Sequence, residues 1–385
     1  MTAGTAARGA TGVRHLYVHV PFCRHRCGYC DFVTVVGRRA QHGAYVDALL
    51  AELELERELL DPELETVFLG GGTPTFLEPG ELERLLRALP SAREVTVEAN
   101  PETVAPRLAS MLRRCGVDRV SLGAQTFRPR LLQVLDRVAG PGDVRRGFYA
   151  LRDAGFDNIS LDLVYGIPGQ SAADLERDLD DALALEPDHL SCYELEAKPG
   201  TRFAHTFGDE LARQAEAMEG YFARVVERLT TSGYRWYETA NFCRRPSLAR
   251  GRDLRAQHNL AYWRGRDYLG LGIGAVSTVG GTRWRTTPRL ALYLAAIGRG
   301  ERPPRELEPL DERARLAERL LLGLRLDEPV PLPPVAPAVD RDALARLERL
   351  GLARRAKAPA GEELTLTPRG RFVGGAVTED LLAYD

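Results

Sequence analysis

The sequence predicts an α/β protein whose parallel sheet curves into a barrel or part of one, and three observations predict it. Short β-rich apolar runs alternate with helical stretches from residue 14 to about residue 243. Each run gives way to a turn rich in Gly, Pro or Asn before the next helical stretch begins. The chemically unusual residues fall at the ends of the strands or just after them. Strands are expected over 15–20, 66–69, 94–98, 117–122, 158–164 and 189–195, with helices over 44–60, 79–89, 104–115, 144–154, 172–185 and 209–231. Six βα units in series imply right-handed crossovers, because a parallel neighbour needs a helix to return the chain.

In such a barrel the loops at the carboxyl ends of the strands converge on one mouth. The first strand is followed by Cys23, Cys27 and Cys30, and the second by Gly70-Gly71-Gly72-Thr73-Pro74-Thr75. Glu98, Asn100 and Pro101 close the third, and Gly123 and Gln125 follow the fourth. Asp162, Tyr165 and Gly166 lie late in the fifth or just after it, and Tyr193, Glu194 and Glu196 end the sixth. Alone, the glycine triplet is equally a tight turn and Gln125 a turn residue. At a barrel mouth, glycines let backbone amides approach a carboxylate or a zwitterion closely. Glu98 and Asp162, on otherwise apolar strands, are costly to bury without partners and are expected to meet a polar ligand or a base such as Arg137.

Three thiolates packed this closely, in a chain with 6 cysteines in 385 residues, suit one soft metal centre. On a four-iron cluster, three protein ligands leave one iron open. A Cys3His zinc site with His25 or His19 is the alternative, although zinc knuckles usually pair two separated ligand couples. So few cysteines without a secretory segment argue against a disulfide framework. Cys115, Cys192 and Cys243 read as buried hydrophobes.

With 52 basic and 54 acidic side chains interspersed, no electrostatic footprint points to nucleic acid or an anionic membrane. No apolar run approaches a bilayer span. Residues 1–13 read as a flexible arm lacking a signal core, and a cytoplasmic protein is expected. The core is expected over 14–243, a connecting region over 244–310 and a small domain over 311–385. In that last part 303–304 and 329–337 read as linkers, 311–322 and 340–350 as helices, 364–367 as a strand and 369–382 as a final helix. Its arginines alternate with acids, so a lid or packing module is favoured over DNA binding.

With Cys-x3-Cys-x2-Cys after the first strand, Tyr29 before the third cysteine and glycines after the second strand, the chain resembles radical S-adenosylmethionine (SAM) enzymes. The resemblance implies a 4Fe-4S cluster on Cys23, Cys27 and Cys30 whose open iron chelates SAM. Reductive cleavage then yields a 5′-deoxyadenosyl radical, while the protein positions the cofactor and excludes water. Together the runs beginning at Tyr17, Gly70, Val97, Arg119 and Leu161 are similar to the oxygen-independent coproporphyrinogen III oxidase family. That likeness implies a partial (β/α)6 TIM-like barrel with a small winged-helix-like C-terminal domain. It also implies SAM contacts from Tyr17, Tyr29, Gly71, Gly72, Thr73, Glu98, Gln125, Arg137 and Asp162.

Within the family, the decarboxylating branch typically carries a further cysteine two positions after the third ligand, where this chain has Phe32. The heme-chaperone branch lacks it and carries His-Asn-x-x-Tyr-Trp, reproduced here by His258, Asn259, Tyr262 and Trp263. The resemblance therefore implies heme as a third bound group, with His258 as its ligand, and transfer of heme to an acceptor protein. Neutral imidazole binds haem iron well, and the two aromatics offer faces to a flat macrocycle. Without the resemblance, His258 reads as a hydrogen-bonded histidine before a packed aromatic pair. Two positions depart from the chaperone pattern: Val276 and Ala139 stand where a histidine is usual. The competing readings are the decarboxylating oxidase and a related radical methyltransferase.

Overall fold

The computed structural model describes residues 12–196, 198–245, 251–359 and 361–383. Six strands lie side by side in chain order, all parallel: β1 (His15–Val20), β2 (Leu64–Gly71), β3 (Ala92–Ala99), β4 (Arg119–Gln125), β5 (Ile159–Tyr165) and β6 (His189–Glu194). The chain returns between them through α1 (His42–Glu56), α2 (Pro79–Ala88), α3 (Pro106–Arg114), α4 (Pro129–Val134), α5 (Pro141–Asp153) and α6 (Ala172–Ala184). After β6 come α7 (Arg202–Thr231), β7 (Tyr234–Glu238) and β8 (Asn241–Arg244), the last running antiparallel beside β6 with β7 outside it.

Two elements of the connecting region complete this sheet. Helix α8 (Gln257–Trp263) precedes β9 (Leu269–Leu271), which pairs parallel to β1 at the opposite edge. The nine-stranded order β9-β1-β2-β3-β4-β5-β6-β8-β7 is an open arc whose two edge strands do not pair with one another. The six-unit partial barrel is the expected one. The edge strand β9 escaped the periodicity because three residues, two of them leucines around a glycine, are too few to show a period.

Alternation along the strands makes the two faces of the sheet different. Leu16, Val18 and Val20, then Val67 and Leu69, then Val120 and Leu122 are wholly buried in one core cluster shared with the helices. The opposite set is polar yet also buried: Thr66, Glu94, Thr96, Arg119, Ser121, Ser160, His189 and Ser191. A parallel sheet covered on both faces normally reads as continuous apolar runs. Here the second face is the barrel interior, and its polar groups bond to one another, with Arg119 Nε the exception.

Helix ends are set by local chemistry. Ser171 accepts from the Asp174 amide and closes a capping box on α6. Thr201 accepts from the Ala204 amide at 3.2 Å, so α7 begins at Arg202, about two turns before the expected 209, and carries Gly208 inside it. A strong cap offsets one interior glycine, which costs about 1 kcal/mol.

Further elements are α9 (Leu290–Gly298), the antiparallel sheet β10 (Val276–Val279), β11 (Thr282–Thr286) and β12 (Arg305–Pro309), and a C-terminal module. That module comprises α10 (Glu312–Gly323), β13 (Val330–Pro331), α11 (Arg341–Arg349), β14 (Ala353–Ala358), β15 (Gly361–Leu366), α12 (Pro368–Phe372) and α13 (Gly374–Asp380). It has its own apolar cluster around Leu320, Val335, Leu344, Leu364 and Leu381. The proline-rich 329–337 segment is not a bare linker. It supplies β13 and a short helical turn, Leu332–Val335, whose end residues are buried, since proline is compatible with a first helical turn. The single helix expected over 369–382 is broken at Val373 into two. Of the arm expected over 1–13, residues 1–11 lie outside the described residues, while Val13 is buried and bridges Leu60. No described helix is long and apolar enough to cross a membrane.

Candidate functional site

The loops after the strands do meet. A cavity of about 490 Å³ opens at the carboxyl ends of β1 to β6, and Cys23, Cys27, Cys30, Tyr29, Gly71, Gly72, Thr73, Glu98, Gln125, Arg137 and Asp162 all line it. Eleven of the thirteen residues singled out from the sequence therefore share one space. Tyr17 and His258 do not line it.

The cysteine loop folds tightly, with the Cys30 amide donating to the Cys27 carbonyl at 3.2 Å. All three thiols are free, and Cys23 is buried. Burial pushes the Cys23 thiol up to about 11, partly offset by its contact with the Thr73 hydroxyl at 3.5 Å. A bound metal ion reverses that preference, because coordination deprotonates a thiol outright. Among the described residues no three His, Cys, Asp or Glu side chains converge as a mononuclear ion requires. A four-iron cluster takes its thiolates one per iron and does not need such convergence, so the donor set fits the cluster. Of the two histidines of the zinc alternative, His25 is exposed at the mouth, while His19 spends both ring nitrogens, on the Val33 carbonyl at 2.8 Å and the Tyr17 hydroxyl at 3.0 Å.

The glycine segment is shaped by close approach. Gly71 has φ +107°, and a Cβ there would stand 2.4 Å from the His19 ring. At Gly72 a Cβ would stand 2.5 Å from the Pro21 carbonyl oxygen. Only glycine lets β2 end against the cysteine loop in this way. The Gly71 amide is already directed at a carboxylate, donating to Glu98 Oε2 at 3.1 Å.

A chain of side chains ties the loops together. Arg137 Nη1 lies 3.8 Å from Cys27 Sγ, and Nη2 donates to Asn100 Oδ1 and to the Gly123 carbonyl, both at 2.9 Å. Asn100 Nδ2 donates to Thr73 Oγ1 at 3.0 Å, and that hydroxyl is the one beside Cys23. Gln125 ends β4 at φ +64°, where the register with β5 shifts, so its side chain turns into the mouth.

The two half-buried carboxylates on the cavity wall find partners other than the expected Arg137. Asp162 accepts from Ser121 at 3.0 Å and from Ser160 at 3.3 Å, with Ser191 a third donor. Glu98 is pushed up to about 7 by burial first and by the charge of Asp162 second, with the Gly71 amide and Arg119 pulling it back. The cation that serves both is Arg119, 2 % exposed on the inner face of β4, whose Nη2 donates to His189 Nδ1 at 3.3 Å. Arg119 and Ser121 lie in the run beginning at Arg119, whose likeness implies a role for Gln125 alone. Their alternation with Val120 and Leu122 is the signal that places both on the inner face.

His258 lies on α8, which closes the amino-terminal end of the arc. Its ring is 1 % exposed, stacked on Phe68 at 5.1 Å between centroids. Both nitrogens are engaged: Nδ1 with the Thr66 hydroxyl and Nε2 with the Tyr262 hydroxyl, each at 2.7 Å. Burial, with His15 adding to it, lowers the imidazole to about 3, so the ring is neutral throughout the physiological range. Tyr17 stands beside it at 6.4 Å between ring centroids, deeper than the mouth. Asn259, the next residue of the motif, lines the floor of the mouth cavity.

Residues 17–182 match the radical SAM superfamily. Over 95% of its length and 94% of the relative's, the chain is 37% identical to the heme chaperone HemW of Mycobacterium tuberculosis. It is 34% identical to HemW of Bacillus subtilis, covering 81% and 83% of the two chains. Among solved structures, the radical SAM enzyme coproporphyrinogen III oxidase (HemN) of Escherichia coli superposes with a TM-score of 0.78 at 22% identity, over 97% of this chain and 91% of that one. That last likeness is one of fold.

Proposed function

The chain belongs to the heme chaperone HemW family within the radical SAM superfamily, and from that premise we propose that it binds heme and hands it to an acceptor protein in the cytoplasm. The observation that carries the reading is the convergence of Cys23, Cys27, Cys30, Gly71 and Thr73 on one cavity that Asn259 of α8, the residue next to His258, also lines.

Cys23, Cys27 and Cys30 would hold a 4Fe-4S cluster, and Gly71, Gly72, Thr73, Glu98, Gln125, Arg137 and Asp162 would surround SAM. When bound, the cluster supplies an open iron and an electron. The chain's own residues orient and enclose. The glycine segment lets the backbone approach the ligand, and the Glu98 and Asp162 carboxylates accept from amino and hydroxyl groups. Arg137 keeps positive charge beside a thiolate, and Tyr29 screens the loop from water. Tyr17, deeper in the arc, would act on SAM through His19, whose ring packs against Gly71.

His258 is the proposed heme ligand. A neutral imidazole has the lone pair that coordination needs. Nε2 is held by Tyr262, so ligation requires that tyrosine to swing aside.

The test is anaerobic. Reconstituted protein should contain iron and sulfide, bind heme in a titration, and give no decarboxylated product from coproporphyrinogen III and a reductant by mass spectrometry. Robust decarboxylation would replace this reading with the oxidase. Equal heme affinity in His258→Ala would remove that histidine from the site.

A further inference from the structure

A second cavity, of about 840 Å³, lies outside the arc between α8, the β10–β11 hairpin and α10. Its aromatic side is made by Tyr262, Trp263 and Tyr268, with the two tyrosine rings edge to face at 4.5 Å. The facing helix α10 fully buries only Leu320, and its Leu316, Leu321 and Leu322 lie half-buried along the groove. A cleft of this size is within the range of roughly 300–1,000 Å³ that holds a small ligand.

The rim is charged. Arg266, Arg315 and Arg319 are exposed there, and none has a carboxylate partner among the described residues. Arg315 reaches across the hairpin turn, its Nη1 3.3 Å from where a Cβ of Gly281 would stand, and bonds only the Asp311 carbonyl, at 3.4 Å. Arg283, by contrast, is committed to Glu318 through two bonds of 2.8 and 2.7 Å. Of the other acids on the lining, Asp267 accepts from the Gly280 amide at 2.8 Å, and Glu312 lies exposed in the first turn of α10. Aromatic and aliphatic walls beneath unpaired guanidinium groups suit a flat apolar body carrying carboxylates.

We propose that this groove receives heme, with its ring against Trp263, Tyr268 and the α10 leucines and its propionates toward Arg315 and Arg319. The inference rests on the heme-binding reading above and adds where the macrocycle sits. Tyr262 joins the two places, because its ring lines the groove while its hydroxyl holds His258 Nε2 at 2.7 Å. A macrocycle entering from outside the arc displaces that tyrosine and meets the imidazole, without passing through the mouth that the cysteine loop occupies.

The experiment uses the full chain, the double variant Arg315→Ala/Arg319→Ala, and three probes: heme, metal-free protoporphyrin and its dimethyl ester. Both arginines are exposed, so the variant should fold. Charge-assisted hydrogen bonds of this kind are worth about tenfold in affinity. Heme and protoporphyrin should bind the variant about tenfold more weakly, while the ester, lacking carboxylates, binds both proteins alike. A variant that binds protoporphyrin as the wild type does overturns the groove and leaves the chaperone reading standing. Failure of the unmutated protein to bind heme overturns the chaperone reading itself.

Discussion

Arg137 stands with Nη1 3.8 Å from Cys27 Sγ while its other terminal nitrogen is fixed by Asn100 and the Gly123 carbonyl. A guanidinium held in that position favours negative charge on the sulfur and on anything the sulfur ligates. It should therefore make electron uptake by a bound cluster easier. In Arg137→Ala the cluster's reduction potential should move to more negative values, and in Arg137→Lys, which keeps the charge, it should stay nearer the wild type. Potentiometric titration followed by electron paramagnetic resonance measures it. Equal potentials in all three proteins would show that the pair is only structural.

Asn100 is the middle of the chain that runs from Arg137 to Thr73 and Cys23. Asn100→Ala removes two hydrogen bonds at once and leaves the Thr73 hydroxyl with only the Cys23 sulfur and Arg137 Nη2 with only the Gly123 carbonyl. A stability loss of about 1–3 kcal/mol is expected from the two lost bonds, together with weaker SAM binding because two loops lose their common tie. Denaturant titration and calorimetry read the two effects separately. Unchanged SAM affinity would mean that the loops hold their places without Asn100.

The strands, their parallel order and eleven of the thirteen singled-out residues were legible because each unit repeats one pattern and each odd residue follows a strand end. The barrel interior was harder to read. Arg119, Ser121 and Ser160 lie in runs that look like ordinary buried strands, and only their pairing across β4, β5 and β6 shows them serving Asp162. For the same reason Arg137 was expected against Glu98 and Asp162, whereas the pairing brings Arg119 there. His258 reads as an available ligand from its motif. Its confinement by Thr66 depends on a contact across 192 residues that no local pattern encodes.

Gly71 tests how far the glycine segment depends on backbone conformation. With φ at +107° and the His19 ring in the space a Cβ would take, Gly71→Ala must move either β2 or an imidazole fixed at both nitrogens. The expected cost is about 2–4 kcal/mol, with loss of SAM binding. Gly80 is the control, since it lies in the first turn of α2 with open space around it. Gly80→Ala should be neutral or stabilising by about 0.5–1 kcal/mol. Thermal unfolding of the two variants side by side decides the matter, and equal melting temperatures would remove the steric argument.

Glu52 gives the fold a pH dependence away from the cluster. It sits on α1 with no exposed surface, accepts from the Gly272 amide at 2.8 Å and the Tyr293 hydroxyl at 2.7 Å, and so ties α1 to the end of β9 and to α9. Its second oxygen has no partner among the described residues. Burial is the largest influence and pushes the carboxyl up to about 7 from an unfolded value near 4.5, with Tyr293, Gly272 and Arg305 pulling it down and Glu56 pushing it further up. Because the folded value is the higher one, the folded state binds more protons between pH 4.5 and 7. Stability from this group is fully present below about 4.5 and is lost as pH rises through about 7. At about 1.36 kcal/mol per unit the loss is roughly 3 kcal/mol. Glu52→Gln cannot ionise, so the stability difference between wild type and variant should shift against the wild type by up to that amount between pH 5 and pH 8. Urea titrations at closely spaced pH values measure it as a difference, which cancels the parallel contribution of Glu98. A difference that stays flat across that range would mean that water or a neighbouring cation reaches the carboxylate.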